Sequence, residues 1–405
     1  MGRLGLCTAL CLEEAGFEVL GSDVIESYVE SINKRTLRSG EPRVEEMLQA
    51  SKNLRCTTGM DEIIRFSDVI MILVATPTGT GADQAYDCGV LSRVLSDLNH
   101  RRIKDKHVVI CCTVMPTYID KVARHLLRDC ERTTISYNPE FIAQGDVIRG
   151  LQNPDMVLIG EGSKEAGDVL EAIHHAMAKN KPVVCRMSPA SAEITKLAIN
   201  CFITTKISYC NMISNIADNT PHADKFAILK AVGSDSRIGS KCLLPGFGFG
   251  GPCFPRDNRA LGTHARNVGV DPCVSDATDK FNHLHADYIA ERMIKNAPHQ
   301  ESFVIDDVAY KPRCPVDIIE ESHKLEVAKR LARKGKRVVI KDRPAIVELV
   351  RRTYGSMFEY EVELPGGGAD EANGESNGAT TSSAKKKARL EPTSDMGNPM
   401  SSYIR

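Results

Sequence analysis

The chain has 405 residues, of which 42% are hydrophobic and 26% charged, and its formal net charge is −1. That length accommodates two or three domains, and the near-zero charge argues against nucleic acid or a membrane surface as the main partner. Fourteen cysteines without a C-x-x-C pair indicate reduced thiols rather than disulfides or a structural zinc site. We therefore expect a cytoplasmic protein without a metal, in which local groups hold any anionic ligand.

The first 187 residues alternate short apolar runs with amphipathic ones. This alternation predicts an α/β domain over 1–187, with a doubly wound, Rossmann-like parallel sheet covered by helices on both faces. Glu13 and Glu14 directly follow the apolar start, and no run is long enough to cross a bilayer, so no signal or membrane segment is expected. Strands are predicted at residues 17–23, 68–76, 107–113, 133–138, 155–160 and 182–187.

The amino end carries half of a dinucleotide-binding fingerprint. Gly2-Arg3-Leu4-Gly5 matches the last two glycines of G-x-G-x-x-G, and the next predicted strand ends at Asp23, 18 residues past Gly5. In that arrangement the helix N-terminus holds the pyrophosphate and the acid bonds the ribose hydroxyls, which favours NAD over NADP. The first glycine and the first strand are absent, and on this motif alone a tight helix–strand turn is the alternative.

Polar residues also follow three later strands. Thr76-Pro77, Thr113 and Glu140 each come where an apolar run stops. Ligands of doubly wound sheets bind outside the carboxyl ends of the strands, so these groups are candidates for orienting a cofactor ring or a water. Each by itself is more typical of a turn or a helix cap.

From Ser188 a helix of some thirty residues is predicted, with Ser188 as its N-cap, and residues 188–297 are predicted to form a helical domain. A helix of that length and apolarity is typical of a dimer interface or a link between domains. Lys196 and Asn200 lie four residues apart and so share one face, where both could donate to a developing oxyanion. A lysine that reaches out to solvent is an equally good interpretation on spacing alone.

The most unusual stretch is GFGFGGPCFPRD, residues 246–257. Its glycines allow the backbone to approach a ligand closely, and Cys253 is followed by Arg256 and Asp257. A cation near a thiol favours the nucleophilic thiolate, and a carboxylate can manage protons or a water. A buried structural cysteine is the weaker alternative.

A second, partial α/β domain is predicted over 298–363. It has a strand near 303–310, a helix near 323–336 and a strand near 337–342. EAGFEVLGSD (14–23) and RKGKRVVIKD (333–342) repeat one pattern of helix end, glycine, strand and aspartate, which indicates two related domains. Residues 364–405 have a low-complexity composition that predicts disorder, and the basic run Lys385–Arg389 is either solvated or a weak nuclear signal.

These stretches together resemble the UDP-glucose/GDP-mannose dehydrogenase family, most closely its UDP-glucose 6-dehydrogenase branch. The resemblance runs from Gly2 to about Asp342 and is most specific in the cysteine loop and in NPEF. It is carried by GRLG (2–5), VATPT (74–78), CTVMP (112–116), NPEFIAQG (138–145), AEITKLAIN (192–200), DSRIG (235–239), GFGFGGPCFPRD (246–257) and AYKP (309–312).

The resemblance implies an enzyme that oxidises a primary alcohol to a carboxylate with two NAD per sugar. Cys253 would form a thiohemiacetal and then a thioester, and Lys196 and Asn200 would stabilise the oxyanion. Asp257, with Thr113, would handle protons and the water, and Glu140 would serve in hydrolysis of the thioester. Arg237, from a partner subunit, would reach the sugar nucleotide, and Lys311 its phosphates. The cofactor contacts implied are Gly2, Arg3, Leu4, Gly5, Asp23, Thr76, Pro77, Thr113 and Gln144, and the substrate contacts are Glu140, Phe141, Lys196, Asn200, Arg237, Phe247, Gly248, Phe249, Gly250, Arg256 and Lys311.

Several positions depart from the family pattern. Gln144 replaces a second acid, Pro252 replaces a serine, Tyr28 stands where a basic residue is common, and IIEESH (318–323) lacks the arginine of D-I-R-E-S-P. Half of the C-terminal domain is also missing. An inactive relative that acts in binding or dimerisation, or a truncated product that folds poorly, is therefore one alternative. A two-electron hydroxy-acid dehydrogenase, which also joins an α/β domain to a long helical dimer, is another, although it needs no thiol at Cys253 and the cysteine loop argues against it. UDP-glucose is the first choice of substrate, with GDP-mannose and UDP-N-acetylmannosamine left open.

Overall fold

The structure is a computed structural model that describes residues 1–79 and 86–363. Both predictions about residues 364–405, the disorder and the basic run, lie outside the described residues. In the described part the strands are Leu20–Ser22 (β1), Arg55–Thr57 (β2), Val69–Ile72 (β3), His107–Ile110 (β4), Thr134–Tyr137 (β5), Met156–Gly160 (β6), Val183–Met187 (β7), Ser302–Asp306 (β8), Arg337–Asp342 (β9) and Glu359–Val362 (β10).

Helices alternate with these strands. They are Arg3–Glu14 (α1), Glu26–Asn33 (α2), Val44–Ala50 (α3), Met60–Phe66 (α4), Gly89–His100 (α5), Arg124–Leu126 (α6, which continues a π-helical turn over Ile119–Ala123), Val147–Gln152 (α7), Lys164–Met177 (α8), Pro189–Asp218 (α9), Lys225–Ser234 (α10), Phe254–Asn267 (α11), Cys273–Asn296 (α12), His323–Arg333 (α13) and Pro344–Tyr354 (α14). A 3₁₀ turn follows at Gly355–Met357. No helix of the described residues is long and apolar enough to cross a membrane.

The chain divides into two compact units, which are described separately. The first unit comprises Met1–Cys201 and Arg256–Cys273, and the second comprises Phe202–Pro255 and the chain from Val274 onward. The division follows packing and cuts α9, α11 and, after its first residue, α12, whereas the four segments expected from the sequence follow changes in composition. Those four segments stay a prediction about domains.

The first unit is the predicted Rossmann-like α/β domain. Strands β3, β4 and β5 run parallel in one five-stranded sheet with β6 and β7, and β1 pairs in parallel with β2 in a separate two-stranded sheet. All six predicted N-terminal strands are present, although each is shorter than its apolar run. The run 68–76 is the clearest case, because its strand ends at Ile72 and leaves Thr76 in the following loop.

The five-stranded sheet differs from the prediction at one junction. β5 and β6 meet antiparallel through a single pair, Tyr137 with Gly160, the last residue of each strand. Asn138 strengthens this junction, because its side-chain amide donates to the carbonyl of Leu158 at 2.9 Å. The two strands therefore touch only at their carboxyl ends, and the NPEF segment begins at that point.

The core of the first unit forms where helices cover the sheet. On α5, Leu91, Leu95 and Leu98 recur with helical spacing and are fully buried against Val108 and Ile110 of β4. The long helix α9 begins as predicted, since the Ser188 hydroxyl accepts a hydrogen bond from the Ser191 N–H at 3.3 Å.

The second unit contains the predicted partial α/β domain. Its sheet is parallel in the order β10, β9, β8, and Val327, Ala328 and Leu331 of α13 pack in the core beside it. Helix α14 and strand β10, like β2 of the first unit, were not predicted from the sequence. The pattern for α14 is visible afterwards, because Pro344 stands at its first turn and its buried residues, Ile346, Val347 and Val350, have helical spacing.

Candidate active site

The start of α1 is suited to an anion. The helix begins at Arg3, its first turn has no acidic residue, and a side chain at Gly2 would meet nothing within 4 Å. The first N–H groups of a helix have no partner within it and carry a partial positive charge. These observations fit a bound pyrophosphate, as the fingerprint predicts.

Two further predicted cofactor residues lie around this helix start. Asp23 directly follows β1 and accepts a hydrogen bond from the Ile25 N–H at 3.1 Å, and its half-buried carboxylate is 3.2 Å from the Met1 amino nitrogen. The Arg3 guanidinium donates to the side-chain oxygen of Gln144. Because Gln144 is neutral, this contact leaves the charge of Arg3 available to phosphate.

The loops after β3 and β4 are joined to each other. The Thr76 hydroxyl donates to the carbonyl of Thr113 at 2.8 Å, and the carbonyl of Thr76 accepts from the Arg256 guanidinium at 3.1 Å. The Pro77 carbonyl accepts from the Asp87 N–H at 2.8 Å. The structure therefore brings the predicted residues Thr76, Pro77, Thr113 and Arg256 together at the carboxyl edge of the sheet.

Lys196 lies beside the NPEF segment. Its ammonium donates to the carbonyl of Glu140 at 2.6 Å and lies 4.3 Å from the centre of the Phe141 ring. Lys196 is only 8% exposed, so its side chain stays inside the unit instead of reaching solvent. Loss of hydration raises the pKa of the Glu140 carboxyl to about 7, while the Lys196 charge opposes that rise.

One turn further along α9, Asn200 contacts Asp257. The Asn200 amide donates to one carboxylate oxygen of Asp257 at 2.7 Å, and the Tyr86 hydroxyl donates to the other. Asp257 is 1% exposed, and the Arg256 guanidinium is 3.6 Å from the oxygen that Tyr86 contacts. The first unit thus contains two donors, Lys196 and Asn200, each next to a carboxyl-bearing residue.

In the second unit the glycine loop is held tightly by side-chain amides. Asn282 donates to the Phe249 carbonyl at 2.9 Å and accepts from the Phe249 N–H at 3.0 Å, as a neighbouring strand would. Asn211 makes the same kind of double contact, with the Gly246 N–H and the Phe247 carbonyl. The backbone of residues 246–249 is therefore fixed on both sides.

Two of the glycines are required by this packing. A β-carbon on Gly248 would overlap the side chains of Asn282 and His323. Gly251 has a φ of +87°, and a side chain there would also overlap the Tyr310 ring. Phe249, between them, is buried against Ile207 and Cys242.

A pair of buried histidines lies under the loop. His285 donates from Nε2 to the Gly246 carbonyl at 2.8 Å and accepts at Nδ1 from Asn215 at 3.1 Å. His323 donates from Nε2 to the Asn282 carbonyl at 2.9 Å, and within the described residues its Nδ1 has no hydrogen-bond partner. Burial lowers the pKa of His323 to about 3, and the His285 ring nearby adds to this effect. Both imidazoles are therefore neutral supports of the loop.

Cys253 lies at the end of that loop, one residue before α11, and is exposed. An exposed thiol does not match the buried structural cysteine that was the alternative. The Arg237 side chain is 87% exposed and bonds the Asp235 carboxylate, and Lys311 lies 5.7 Å from the centre of the Tyr310 ring.

Sequence reasoning missed the residues that hold these groups in place. They are Tyr86, Asn211, Asn282, His285 and His323. His323 is the last residue of IIEESH (318–323), and the other four lie outside the stretches that carry the resemblance. Each acts across a sequence separation of at least 33 residues on the group it holds. Asn211 is polar, but so are several other residues of α9, Lys196 and Asn200 among them, so its residue type gave no specific signal.

Comparison with known proteins gives consistent matches over most of the chain. Residues 1–178 match the NAD binding domain of the UDP-glucose/GDP-mannose dehydrogenase family, and residues 190–284 match its central domain. A GDP-mannose 6-dehydrogenase of Pseudomonas putida is 30% identical, with 90% of this chain and 84% of that protein covered. A UDP-glucose 6-dehydrogenase of Haloferax volcanii is 31% identical, with 87% and 84% covered.

Solved structures with a similar fold are also UDP-glucose and GDP-mannose dehydrogenases. The solved structure of a UDP-glucose dehydrogenase from Pyrobaculum islandicum matches with a TM-score of 0.80 at 27% identity, and covers 90% of this chain and 84% of that one. A ternary complex of GDP-mannose dehydrogenase from Pseudomonas aeruginosa matches with a TM-score of 0.54 at 28% identity. Relatives named for UDP-glucose and relatives named for GDP-mannose thus have about the same sequence identity to this chain.

Proposed function

The chain belongs to the UDP-glucose/GDP-mannose dehydrogenase family, and from this we propose that it is an NAD-dependent 6-dehydrogenase that converts UDP-glucose to UDP-glucuronate. The observation that carries the proposal is the pair of donors on α9. Lys196 bonds the carbonyl of Glu140 and Asn200 bonds the carboxylate of Asp257, one helical turn apart. Two donors on one rigid helix suit a reaction in which negative charge develops on a substrate oxygen.

NAD, when bound, supplies the hydride acceptor for both oxidations. In the first, the primary alcohol becomes an aldehyde, and Asp257, with Thr113, receives the hydroxyl proton. The Cys253 sulfur then bonds to the aldehyde carbon, and its proton passes to the aldehyde oxygen, which gives a thiohemiacetal. Loss of that proton and of a second hydride leaves a thioester, with Lys196 and Asn200 donating to the charged oxygen.

Hydrolysis completes the reaction. A water oxygen bonds to the acyl carbon, the C–S bond breaks, and the sulfur leaves as the Cys253 thiolate. Glu140 accepts the proton of the water, and a pKa of about 7 suits a base that works near neutral pH. Two hydrides leave and one water enters for each sugar acid formed. Because Cys253 has to stay a thiol, the proposal also assigns the enzyme to the reducing cytoplasm.

The remaining predicted residues are assigned to binding. Gly2, Arg3, Leu4, Gly5 and Asp23 would hold NAD, and Phe247, Gly248, Phe249 and Gly250 would form the backbone surface that meets the sugar. Arg256 would bind the substrate as well. Lys311 would reach its phosphates, and Arg237, which is exposed here, would act on the substrate of a partner subunit.

The proposal is tested by the NADH formed per nucleotide sugar consumed. The purified full-length chain is incubated with NAD and, separately, UDP-glucose, GDP-mannose or UDP-N-acetylmannosamine. Two NADH with UDP-glucose as the best substrate is the expected result. Two NADH per molecule of another nucleotide sugar would change the substrate that we assign and keep the reaction. One NADH per molecule would instead indicate a two-electron dehydrogenase. No NADH with any of the three means an inactive relative and overturns the proposal.

We also infer that two copies of the chain associate through α9. In the second unit this helix exposes large apolar side chains at Phe202 (67%), Tyr209 (51%), Met212 and Ile216 (55%). Their spacing of seven, three and four residues places all four on one face of the helix. An apolar stripe of this kind on a long helix matches a second copy of itself, since a two-fold interface is formed by the same surface on both chains.

The association is tested with Tyr209→Asp. Sedimentation is expected to give twice 44.4 kDa for the wild type and 44.4 kDa for the variant, because the carboxylate would be buried without a partner in the interface. Val24→Asp, at a valine that is 94% exposed in the first unit, is the matched control and should leave the mass unchanged. A wild type of 44.4 kDa would contradict the inference.

A further inference from the structure

Tyr86 pairs with the VATPT segment through its backbone. It forms an isolated antiparallel bridge with Thr78, and the next residue, Asp87, donates its N–H to the Pro77 carbonyl at 2.8 Å. These contacts attach the Tyr86 backbone to the carboxyl edge of the sheet. The α-carbon of Tyr86 is therefore held in a fixed position next to the predicted cofactor residues Thr76 and Pro77.

The Tyr86 hydroxyl donates to Asp257 from the opposite side to Asn200. Tyr86 contacts one carboxylate oxygen, and Asn200 contacts the other at 2.7 Å. A carboxylate only accepts hydrogen bonds, so both neighbours act as donors and together they fix the plane of the carboxylate. With one donor alone, the carboxylate could rotate about its bond to the β-carbon.

The Tyr86 ring is itself held in place by packing and by a cation. It is 7% exposed and packs in one cluster with Leu197 and Ala260. The guanidinium of Arg256 lies 4.7 Å from the centre of the ring and within 3.6 Å of the Asp257 oxygen that Tyr86 contacts. A cation over the ring and beside the carboxylate stabilises both, so the three side chains form one arrangement.

We propose that Tyr86 is a positioning residue for Asp257. It orients the carboxylate so that proton transfer by Asp257 occurs in a single geometry, and it acts on the substrate only through Asp257. The role rests on the proposed function. We infer this role from the contact of Tyr86 with Asp257 and not from a motif, because neither the cysteine loop nor the strand-end motifs include position 86.

The test is a double-mutant cycle on kcat with Tyr86→Phe and Asp257→Asn. Tyr86→Phe removes one oxygen and is expected to lower kcat about tenfold to a hundredfold, with the KM for the nucleotide sugar and the affinity for NAD unchanged. In the Asp257→Asn background the same change should have no further effect. A merely structural role predicts equal losses in both backgrounds.

Tyr118→Phe is the matched control. Tyr118 is also 7% exposed in the first unit, and its hydroxyl bonds the Ser92 hydroxyl at 3.0 Å, so its loss tests a buried phenol outside the site. The control should keep full kcat. If the wild type forms NADH and Tyr86→Phe keeps its kcat, the positioning role is overturned and the function stands. If the wild type forms no NADH from any nucleotide sugar, the function is overturned and the positioning role with it.

Discussion

Cys253→Ser is expected to lower formation of the sugar acid at least about a thousandfold. At neutral pH a serine hydroxyl has almost no anionic form, whereas a thiol is readily ionised and a strong nucleophile. An oxygen ester is also a poorer acyl donor to water than a thioester. The variant should therefore release at most the product of the first oxidation, with no second equivalent of NADH.

The measurement is NADH and sugar acid per enzyme, together with NAD affinity as a check on folding. Cys273→Ser is the matched control, because Cys273 is the other exposed cysteine of the described chain and starts α12. It should retain full turnover. If Cys253→Ser produced acid at the wild-type rate, the covalent mechanism would be wrong even if the enzyme were a dehydrogenase.

Glu140→Gln is expected to lower activity and raise stability together. The amide cannot accept the proton of the attacking water, so kcat should fall about a hundredfold to ten-thousandfold. The thioester should then accumulate on Cys253 and appear as added mass on the intact protein. NADH should appear in a burst of two per subunit, followed by a slow phase, because both oxidations precede hydrolysis.

The stability effect follows from the raised pKa. The unfolded chain loses the Glu140 proton near the ordinary value of 4.5, while the folded chain keeps it to about 7. Between these values the folded state binds more protons, so the wild type loses stability as the pH rises, by up to about 3 kcal/mol. The side chain of a glutamine does not titrate, so the Glu140→Gln variant does not lose this stability as the pH rises. The variant should therefore be the more stable protein above neutral pH, with the difference absent near pH 4.

Urea unfolding at acidic and mildly alkaline pH measures this difference. Glu193, whose pKa burial also raises to about 7, titrates in both proteins and so cancels in the comparison. Glu18→Gln, at an exposed carboxyl of the first unit between α1 and β1, is the control and should keep the wild-type kcat and the wild-type stability at both pH values. Equal stability of wild type and Glu140→Gln at both pH values would contradict the loss of hydration that raises the pKa of this carboxyl.

Much of the fold could be predicted from local pattern. Apolar runs separated by helical stretches mark β1 and the strands β3 to β9, because each strand has to bury side chains on a pleated surface. The fingerprint, the strand ends and the cysteine loop are contiguous stretches in which residue type and spacing carry the chemistry. For that reason the family and the NAD-binding domain could be recognised from the amino-acid sequence alone.

Tertiary packing alone decided how these groups are held. Tyr86 contacts Asp257 across 171 residues, and Asn282 pairs with Phe249 across 33, and neither contact leaves a periodic or local signature. The antiparallel junction of β5 and β6 is of the same kind, since one residue pair decides it. The sequence by itself determined which chemical groups this protein has, because local spacing encodes helices, strands and motifs. Their orientation depends on side chains that meet only after distant elements have packed.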